Sequence, residues 1–501
     1  MQPLFFLLYL YQFKREREVH DLFSLKDLRR QDAETFISGD TVIREEFSSE
    51  EWDCPEAYKM AGIVGYEPML AKELEGEEVQ DEKLNDTGYL LEEKFDGTRA
   101  LVYFLSQTDY NTKEDIGFCR VFSRRVSRKT GFYVENTDSL PQIRELNIPE
   151  LAGTILDGEM LVDGKEFKDV SSIMNCTWDK AVDRQIENGF ISFHAFDILF
   201  YKGIDLRKMP LHRRKVYLED VVSTVASEYV KLVTSNDCGK KILCSPYEET
   251  HGTLQSVYNA LREQGKLEAY PLFSKEFGDS LKEHIELREL SPRAFYEYIV
   301  ASGGEGLVLK PKSGKYRHAR GWEYSKIKKF LTRELIVLGF SEPTREYTGK
   351  DIRKWAYWVD KNNKRVVGNF YGDSNYTPVT KFYYFNLVGN LLLGVLISKN
   401  EYENLAKNKR GEVFVPSDFN LDIRLDEDYY IMTVCECSGY DDETREFFTK
   451  KKDSLVGTVV EVKANEIFKD SGRLRHPRYM RQRFDKDAER CVWTEHIGAK
   501  K

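Results

Sequence analysis

No run of 18 or more apolar residues occurs in this 501-residue chain, so no membrane-crossing helix is expected. The N-terminal "PLFFLLYLYQF" is apolar but short. It lacks a basic lead and a small-residue cleavage site, and it reads as a packed segment rather than a targeting signal. The eight histidines form no HExxH pair, and no Walker-type glycine loop is present. The eight cysteines are scattered, and Cys435 and Cys437 have no second pair to complete a zinc set. Such thiols suit a reducing compartment and argue against a disulfide scaffold. Internal repeats and low-complexity tracts are also lacking. What remains is the length for two or three domains, each with its own core.

The net charge of −9 argues against a nucleic-acid partner only as a sum. Residues 310–333 hold nine Lys/Arg against one acid, residues 463–486 eight against three, and residues 120–129 five against none. The acid is concentrated elsewhere, as in "KELEGEEVQDEKLND" at 72–86. Three basic blocks in an acidic chain fit a segregated phosphate-binding surface.

Residues 1–62 show no clear repeat and are expected to be a short, mostly helical segment. From 63 to about 200, short β-rich runs alternate with turns. Helices are expected at "MPLHRRKVYLEDVVSTVASEYVKL", at "TLQSVYNALREQG" and at "SPRAFYEYIVASGG", where Ser291 caps and Pro292 starts the helix. The remainder of 232–285 suggests no function. Beyond residue 331, short strands such as "NLLLGVLI", "YYIMTV" and "LVGTVVEVKA" suit a small β-barrel. The expected division is 1–62, 63–330 and 331–501.

In "LLEEKFDGTRALVYFL" (90–105), Lys94 follows two carboxylates and precedes Asp96-Gly97, which reads as strand, tight turn, strand. A lysine beside a turn is ordinarily solvated. Residues 94–99 fit K-x-D-G-x-R, which chance would produce in roughly 1% of chains of this length, so other segments must support it. They follow in order: "VFSRR" (121–125), "LDGEML" (156–161), "FHAFDILFYKGIDL" (193–206), "GGEGLVLKP" (303–311), "YRHARGWEYSKIKK" (316–329) and "LRHPRYMRQRFDK" (474–486), with "PMLAKEL" (68–74) upstream. Lys326 and Lys328 alternate on an expected strand and share one face.

Taken together, these segments resemble the ATP-dependent DNA ligase family of covalent nucleotidyltransferases over residues 66–490. The resemblance implies an α+β, ATP-grasp-like adenylation domain of antiparallel sheets with helices, followed by an OB-fold barrel. It implies ATP as adenylate donor with Mg2+ (or Mn2+), and nicked double-stranded DNA as partner. A monomer is expected. The setting would be the cytoplasm of a bacterial, archaeal or phage system, or the nucleus or viral factory of a eukaryotic one.

Site roles are likewise implied position by position. Lys94 is the nucleophile. Glu92 resembles the adenine-contacting acid, Arg99 a ribose and phosphate contact, and Arg124 a contact to nucleotide or nick. Glu159 resembles a ribose-contacting acid and a possible metal ligand beside Glu305, and Phe196 the aromatic that stacks on adenine. Arg320, Lys326 and Lys328 resemble the cations that face the α-phosphate. Arg483, Asp485 and Lys486 resemble the C-terminal motif that orients leaving pyrophosphate, with Asp485 holding the two cations.

The resemblance also implies that the barrel closes over the nucleotide and later grips DNA. An RNA ligase and an mRNA guanylyltransferase share the lysine motif, but "PMLA", "SRR" and "RHPR" favour a DNA ligase. NAD+ as donor is disfavoured because no zinc-ligand cysteine set accompanies the core. The intact Lys94, Glu305, Lys326 and Lys328 argue against a non-enzymatic nucleic-acid scaffold. The N-terminal segment is much shorter than the helical DNA-binding domain of large ligases.

Overall fold

The β-rich runs "TILDGEMLV" and "ISFHAFDILFY" become two neighbouring central strands, buried along most of their length. This computed structural model describes residues 67–498 except 109–111, 127–132, 166, 284–288, 350, 417–428 and 469. The expected N-terminal helical segment lies outside the described residues. The chain divides into two compact units, Met1–Lys328 and Lys329–Lys501.

In the first unit a seven-stranded sheet contains β3 (Thr98–Thr108), β4 (Asp115–Val126), β5 (Tyr133–Glu135), β6 (Thr154–Val162), β7 (Ile191–Tyr201), β8 (Ile204–Asp205) and β9 (Val230–Leu232), strands being numbered in chain order. Its order is β5-β4-β3-β6-β7-β8, with β9 parallel to β7. Fully buried Phe193, Ile198 and Leu218 belong to its core, and burying each such side chain contributes about 1.5–3 kcal/mol. A second, five-stranded sheet contains β1 (Leu70–Glu73), β2 (Tyr89–Glu93), β10 (Ser235–Asp237), β13 (Gly306–Pro311) and β14 (Arg320–Lys328), in the order β1-β14-β13-β2-β10. Its core gathers Phe273, Phe295, Tyr298 and Leu307 from strands and from the helical region after residue 244. A two-stranded ribbon, β11 (Ile242–Leu243) with β12 (Glu289–Leu290), flanks that region.

The helix expectations hold in place and start. Ser291 caps Pro292–Ala301, Thr253 caps Leu254–Glu263, and Pro210 precedes Leu211–Val225. The strand–turn–strand expectation at Lys94 needs correction. The strands β2 and β3 do not pair with each other. The former lies between β13 and β10 in one sheet and the latter between β4 and β6 in the other. Residues 94–97 therefore carry the chain from one sheet to the other. Gly97 is needed where it passes β6, because a Cβ there would lie 2.3 Å from the Met160 carbonyl oxygen.

In the second unit an antiparallel sheet runs β20-β21-β19-β15-β22-β25. These strands are β15 (Leu331–Phe340), β19 (Leu391–Ser398), β20 (Val413–Phe414), β21 (Tyr429–Cys437), β22 (Val459–Ala464) and β25 (Arg478–Arg483). A parallel bridge joins Ser438 to Arg478, and Tyr479 N–H donates to the Ser438 carbonyl at 2.9 Å. The sheet thus curls until the end of β21 meets the start of β25. The helix Asp442–Leu455, capped by Asp441, supplies Phe448 and Leu455 to the enclosed core. Between β15 and β19 the chain builds a separate three-stranded sheet, β16 (Tyr357–Asp360), β17 (Arg365–Val367) and β18 (Tyr376–Pro378). A last ribbon pairs β23 (Glu466–Phe468) with β24 (Arg473–Arg475).

Candidate active site

Lys94 stands at the crossing between the sheets of the first unit. Its backbone N–H extends the β2–β13 ladder by donating to Gly306 O at 2.9 Å. Its ammonium pairs with one Glu305 oxygen and also approaches Phe95 O at 3.3 Å. The other Glu305 oxygen pairs with Lys328. One carboxylate therefore bridges the lysine of the K-x-D-G-x-R segment and a lysine 234 positions later, and all three side chains are mostly buried. Gly306 lets β13 pass β14 here: its φ is +139°, and a Cβ would sit 2.1 Å from Ile327 O.

Lys326 shares the Lys328 face of β14, as the alternation implied. Burial, then the like charges of Lys328 and Lys94, pull its pKa down to about 8. Arg320, at the start of β14, is exposed and donates to Ala71 O at 3.4 Å. Arg124 is exposed on β4, next to Ser123, whose partner on β3 is Ala100. Glu159 pairs in register with Arg99. Burial, only partly offset by Arg99 and Lys94, pushes its carboxyl up to about 7. Among the described residues, no group of three or more His, Cys, Asp or Glu is placed to hold a metal ion.

A second cluster surrounds Glu92 and Phe196. Glu92 is buried, and its oxygens accept from Lys215, from Lys310 at 2.6 Å and from Ser235 Oγ at 2.7 Å. Burial alone would raise its carboxyl, but the two lysines outweigh that and hold it below its ordinary value. Two cations lie near the Phe196 ring, the Arg99 guanidinium carbon 4.4 Å and Lys310 Nζ 4.2 Å from its centroid. Lys215 also donates to Phe196 O at 2.8 Å. Arg99 is locked by Asp157, with Nε–Oδ1 2.5 Å and Nη2–Oδ2 2.6 Å, and Tyr316 donates to the same carboxylate at 2.6 Å.

Beneath this cluster Asp197 and Arg214 form a bidentate pair at 2.8 Å with both side chains fully buried. Tyr324 donates to Asp197 at 2.8 Å.

Arg483, Asp485 and Lys486 meet in the second unit, at a cleft of about 530 Å³ lined also by Glu334, Glu489, Arg490 and Glu495. Arg483 makes two 2.8 Å bonds to Asp485. The expectation that Asp485 holds both cations is corrected: Glu334, on β15, pairs with both Arg483 and Lys486. Register explains it, since β22 lies between β15 and β25 and brings the 483–486 turn beside the β15 carboxylate.

Sequence reasoning missed Lys215, Lys310, Asp157, Asp197, Arg214 and Glu334 as partners. The available signals were weak. Lys310 ends "GLVLK" two positions after Val308, the register partner of Glu92, and so shares its face. Asp197 adjoins Phe196, and Asp157 stands two positions before Glu159.

Residues 68–242 match the family described as the ATP dependent DNA ligase domain. The chain is similar to DNA ligase 1 of Arabidopsis thaliana, 28% identical over 203 residues, which is 40% of this chain and 24% of that protein. It is also similar to DNA ligase 4 of Saccharomyces cerevisiae, 28% identical over 324 residues, or 58% of this chain and 32% of that protein. The chain thus matches only a quarter to a third of these relatives' length. A solved Lig E DNA ligase structure aligns over 84% of this chain and 100% of its own, with 16% identity and a TM-score of 0.41. The chain is thus similar to ATP-dependent DNA ligases, with the family match confined to residues 68–242.

Proposed function

We propose that this protein seals nicks in duplex DNA, using ATP to join a 5′-phosphate to a 3′-hydroxyl. The observation that carries the reading is the bridge Lys94–Glu305–Lys328, which holds the expected nucleophile beside cations suited to an α-phosphate. An amine attacks phosphorus only when neutral, and Glu305 is the carboxylate bonded to the ammonium and able to take its proton. Lys94 Nζ then forms a bond to the α-phosphorus while the bond to the pyrophosphate oxygen breaks, giving lysyl-AMP. The AMP passes to the DNA 5′-phosphate, and attack by the 3′-hydroxyl releases it. Charge neutralisation and positioning dominate such steps, which suits Lys326, Lys328 and Arg320 lining one strand.

Adenine would lie on Phe196. Glu92 accepts from three donors, and a carboxylate has about four acceptor sites, which leaves one for the exocyclic amine. Arg99 Nη1 has no partner among the described contacts and would reach ribose or phosphate.

Glu305 and Glu159 would hold Mg2+, an ion that favours one or two carboxylates plus phosphate oxygens. Their fit rests on Glu159, a desolvated carboxylate beside Glu305 whose charge a divalent cation would stabilise. Bound there, the ion would neutralise charge on the transferring phosphate.

The second unit is proposed to be an OB-type barrel. Its support is the ring β15-β19-β21-β25-β22, closed by the Ser438–Arg478 bridge, with the helix Asp442–Leu455 between the third and fourth strands of that ring in chain order. The adenylation domain would then end, and the barrel begin, near residues 328–331.

Incubating the protein with labelled ATP or GTP, followed by nicked duplex DNA or single-stranded RNA, tests the proposal. ATP labelling and DNA sealing, both lost in Lys94→Ala, are expected. Labelling by GTP would point to a capping enzyme, and sealing of RNA alone to an RNA ligase.

A further inference from the structure

We propose that His251 is a positioning residue for self-adenylation, acting through Glu93 on the spacing between Lys94 and Glu305. This rests on the ligase reading above. Glu93 precedes Lys94 and points to the face of β2 opposite Glu92, into the helical side of the second sheet. There its Oε1 lies 2.7 Å from His251 Nε2, and the two side chains are 6% and 11% exposed. The histidine comes from the end of the helix Ser245–His251, in the stretch to which the sequence assigned no role.

The same ring stands beside the other half of the site. A Cβ built on Gly304, the residue before Glu305, would come within 3.4 Å of His251 Cε1. Tyr298 packs edge-on to the ring at 6.4 Å, and its hydroxyl donates to Gly252 O at 2.6 Å, anchoring the backbone just after the histidine. Gly304 N–H is in turn tied to Ile299 O at 2.8 Å. His251 is thus wedged between the strand end that delivers Lys94 and the turn that delivers Glu305. It bonds to one and lies beside the other, but has no described contact with either reacting side chain. The nucleotide cluster of Glu92, Lys310 and Phe196 lies on the opposite face of β2 and makes no described contact with it.

A misplacement of about 1 Å between reacting groups costs on the order of 100-fold in rate. His251→Ala is therefore expected to slow single-turnover self-adenylation with labelled ATP by about 10–100-fold, with KM for ATP changed less than about threefold. Glu93→Ala should match it, and the double variant should be no slower than either single one. His251→Gln keeps an amide donor at the Nε2 position and should retain most of the rate, whereas His251→Asn, whose shorter side chain does not reach Glu93, should lose it. This Gln/Asn contrast decides the matter even if the alanine variant does not fold. Equal rates for Gln and Asn, or a wild-type rate for a folded His251→Ala, would overturn the inference. A rise in KM with the rate constant preserved would also overturn it. If the wild-type chain takes no label from ATP at all, the ligase reading fails instead.

Discussion

Replacing Asp197 by Asn changes one atom at the most buried ion pair of the first unit. Asp197 accepts two bonds from Arg214 and one from Tyr324, each at 2.8 Å, with no solvent access to either charged side chain. Asparagine keeps one acceptor, but its amide turns two donors toward a guanidinium that can only donate and a phenol oxygen that already accepts from Arg214 Nη2 at 3.0 Å. One charge-assisted bond, about 1.5–3 kcal/mol, is lost, and Arg214 is left without a counter-ion. Breaking a buried pair from one side costs about 3–5 kcal/mol. For a unit of this size, 1 kcal/mol corresponds to roughly 2–4 °C, so Tm should fall by roughly 6–20 °C.

The pH dependence follows from the sign of the shift. Burial raises the Asp197 carboxyl, but Arg214, Lys310 and Lys215 outweigh it and hold the group well below the usual carboxylate range. A depressed carboxylate stabilises at every pH above its unfolded value of about 3.9 and loses that stability as pH falls through its folded value. The gap between wild type and Asp197→Asn should therefore be constant from pH 5 to 8 and close only in stronger acid. Replacing the whole set, as Asp197→Leu with Arg214→Met and Tyr324→Phe, should recover part of the loss. Recovery would be incomplete, because Met209 O and Gly314 O lose the Arg214 donor. Urea or thermal unfolding followed by circular dichroism measures each variant. A loss below about 1 kcal/mol, or a gap that narrows between pH 5 and 8, would refute the reasoning.

Lys326, with its pKa near 8, costs stability while charged below that pH, and the cost fades as pH rises toward its unfolded value of 10.5. Lys326→Met should thus stabilise the ATP-free protein at pH 7 by on the order of 1 kcal/mol, after screening at a half-exposed site, yet slow self-adenylation at least tenfold; a lower Tm would contradict this. Lys486→Ala should lose roughly 2–4 kcal/mol of transition-state stabilisation in self-adenylation but still seal a nick already carrying the 5′-adenylate, and a normal first-step rate would remove Lys486 from pyrophosphate handling. If the basic blocks around Arg124, at 312–329 and at 473–483 each contact phosphates, nicked-DNA affinity should fall with salt at a log–log slope of several units, and a slope near zero would exclude it.

What was legible in the sequence is what local pattern controls. Short β-rich runs mark β6 and β7, alternation puts Lys326 and Lys328 on one face, and Ser291-Pro292 marks a helix start. Pairing between distant segments was not legible. The apolar runs on either side of Lys94 look like the arms of a hairpin, yet each strand finds better-matched neighbours in a different sheet. Lys215 sits in "HRRK" on a helix, where a lysine normally faces water; only the fold reveals that this one turns inward to Glu92. Glu334 and His251 are ordinary charged and polar positions until β22 and the Ser245–His251 helix bring them to partners 149 and 158 residues away.

The same device recurs wherever cations gather: one carboxylate shared by two of them. Glu305 serves Lys94 and Lys328, Glu92 serves Lys215 and Lys310, and Glu334 serves Arg483 and Lys486. Without the carboxylate, two neighbouring ammonium groups would repel and shed protons; at Lys326 burial, and then the like charges of Lys328 and Lys94, lower the pKa in this way. With a full complement of acids the cluster would be neutral and have nothing to offer a phosphate. One shared carboxylate leaves the Glu305 and Glu92 trios each one positive charge in excess, so each holds its shape in the resting protein and still attracts a polyanion, whereas Asp485 balances the Glu334 cluster. A triphosphate brings several negative oxygens to such a site and satisfies both cations at once. The shared carboxylate is then released to accept a proton or to ligate a metal ion, the two roles proposed for Glu305.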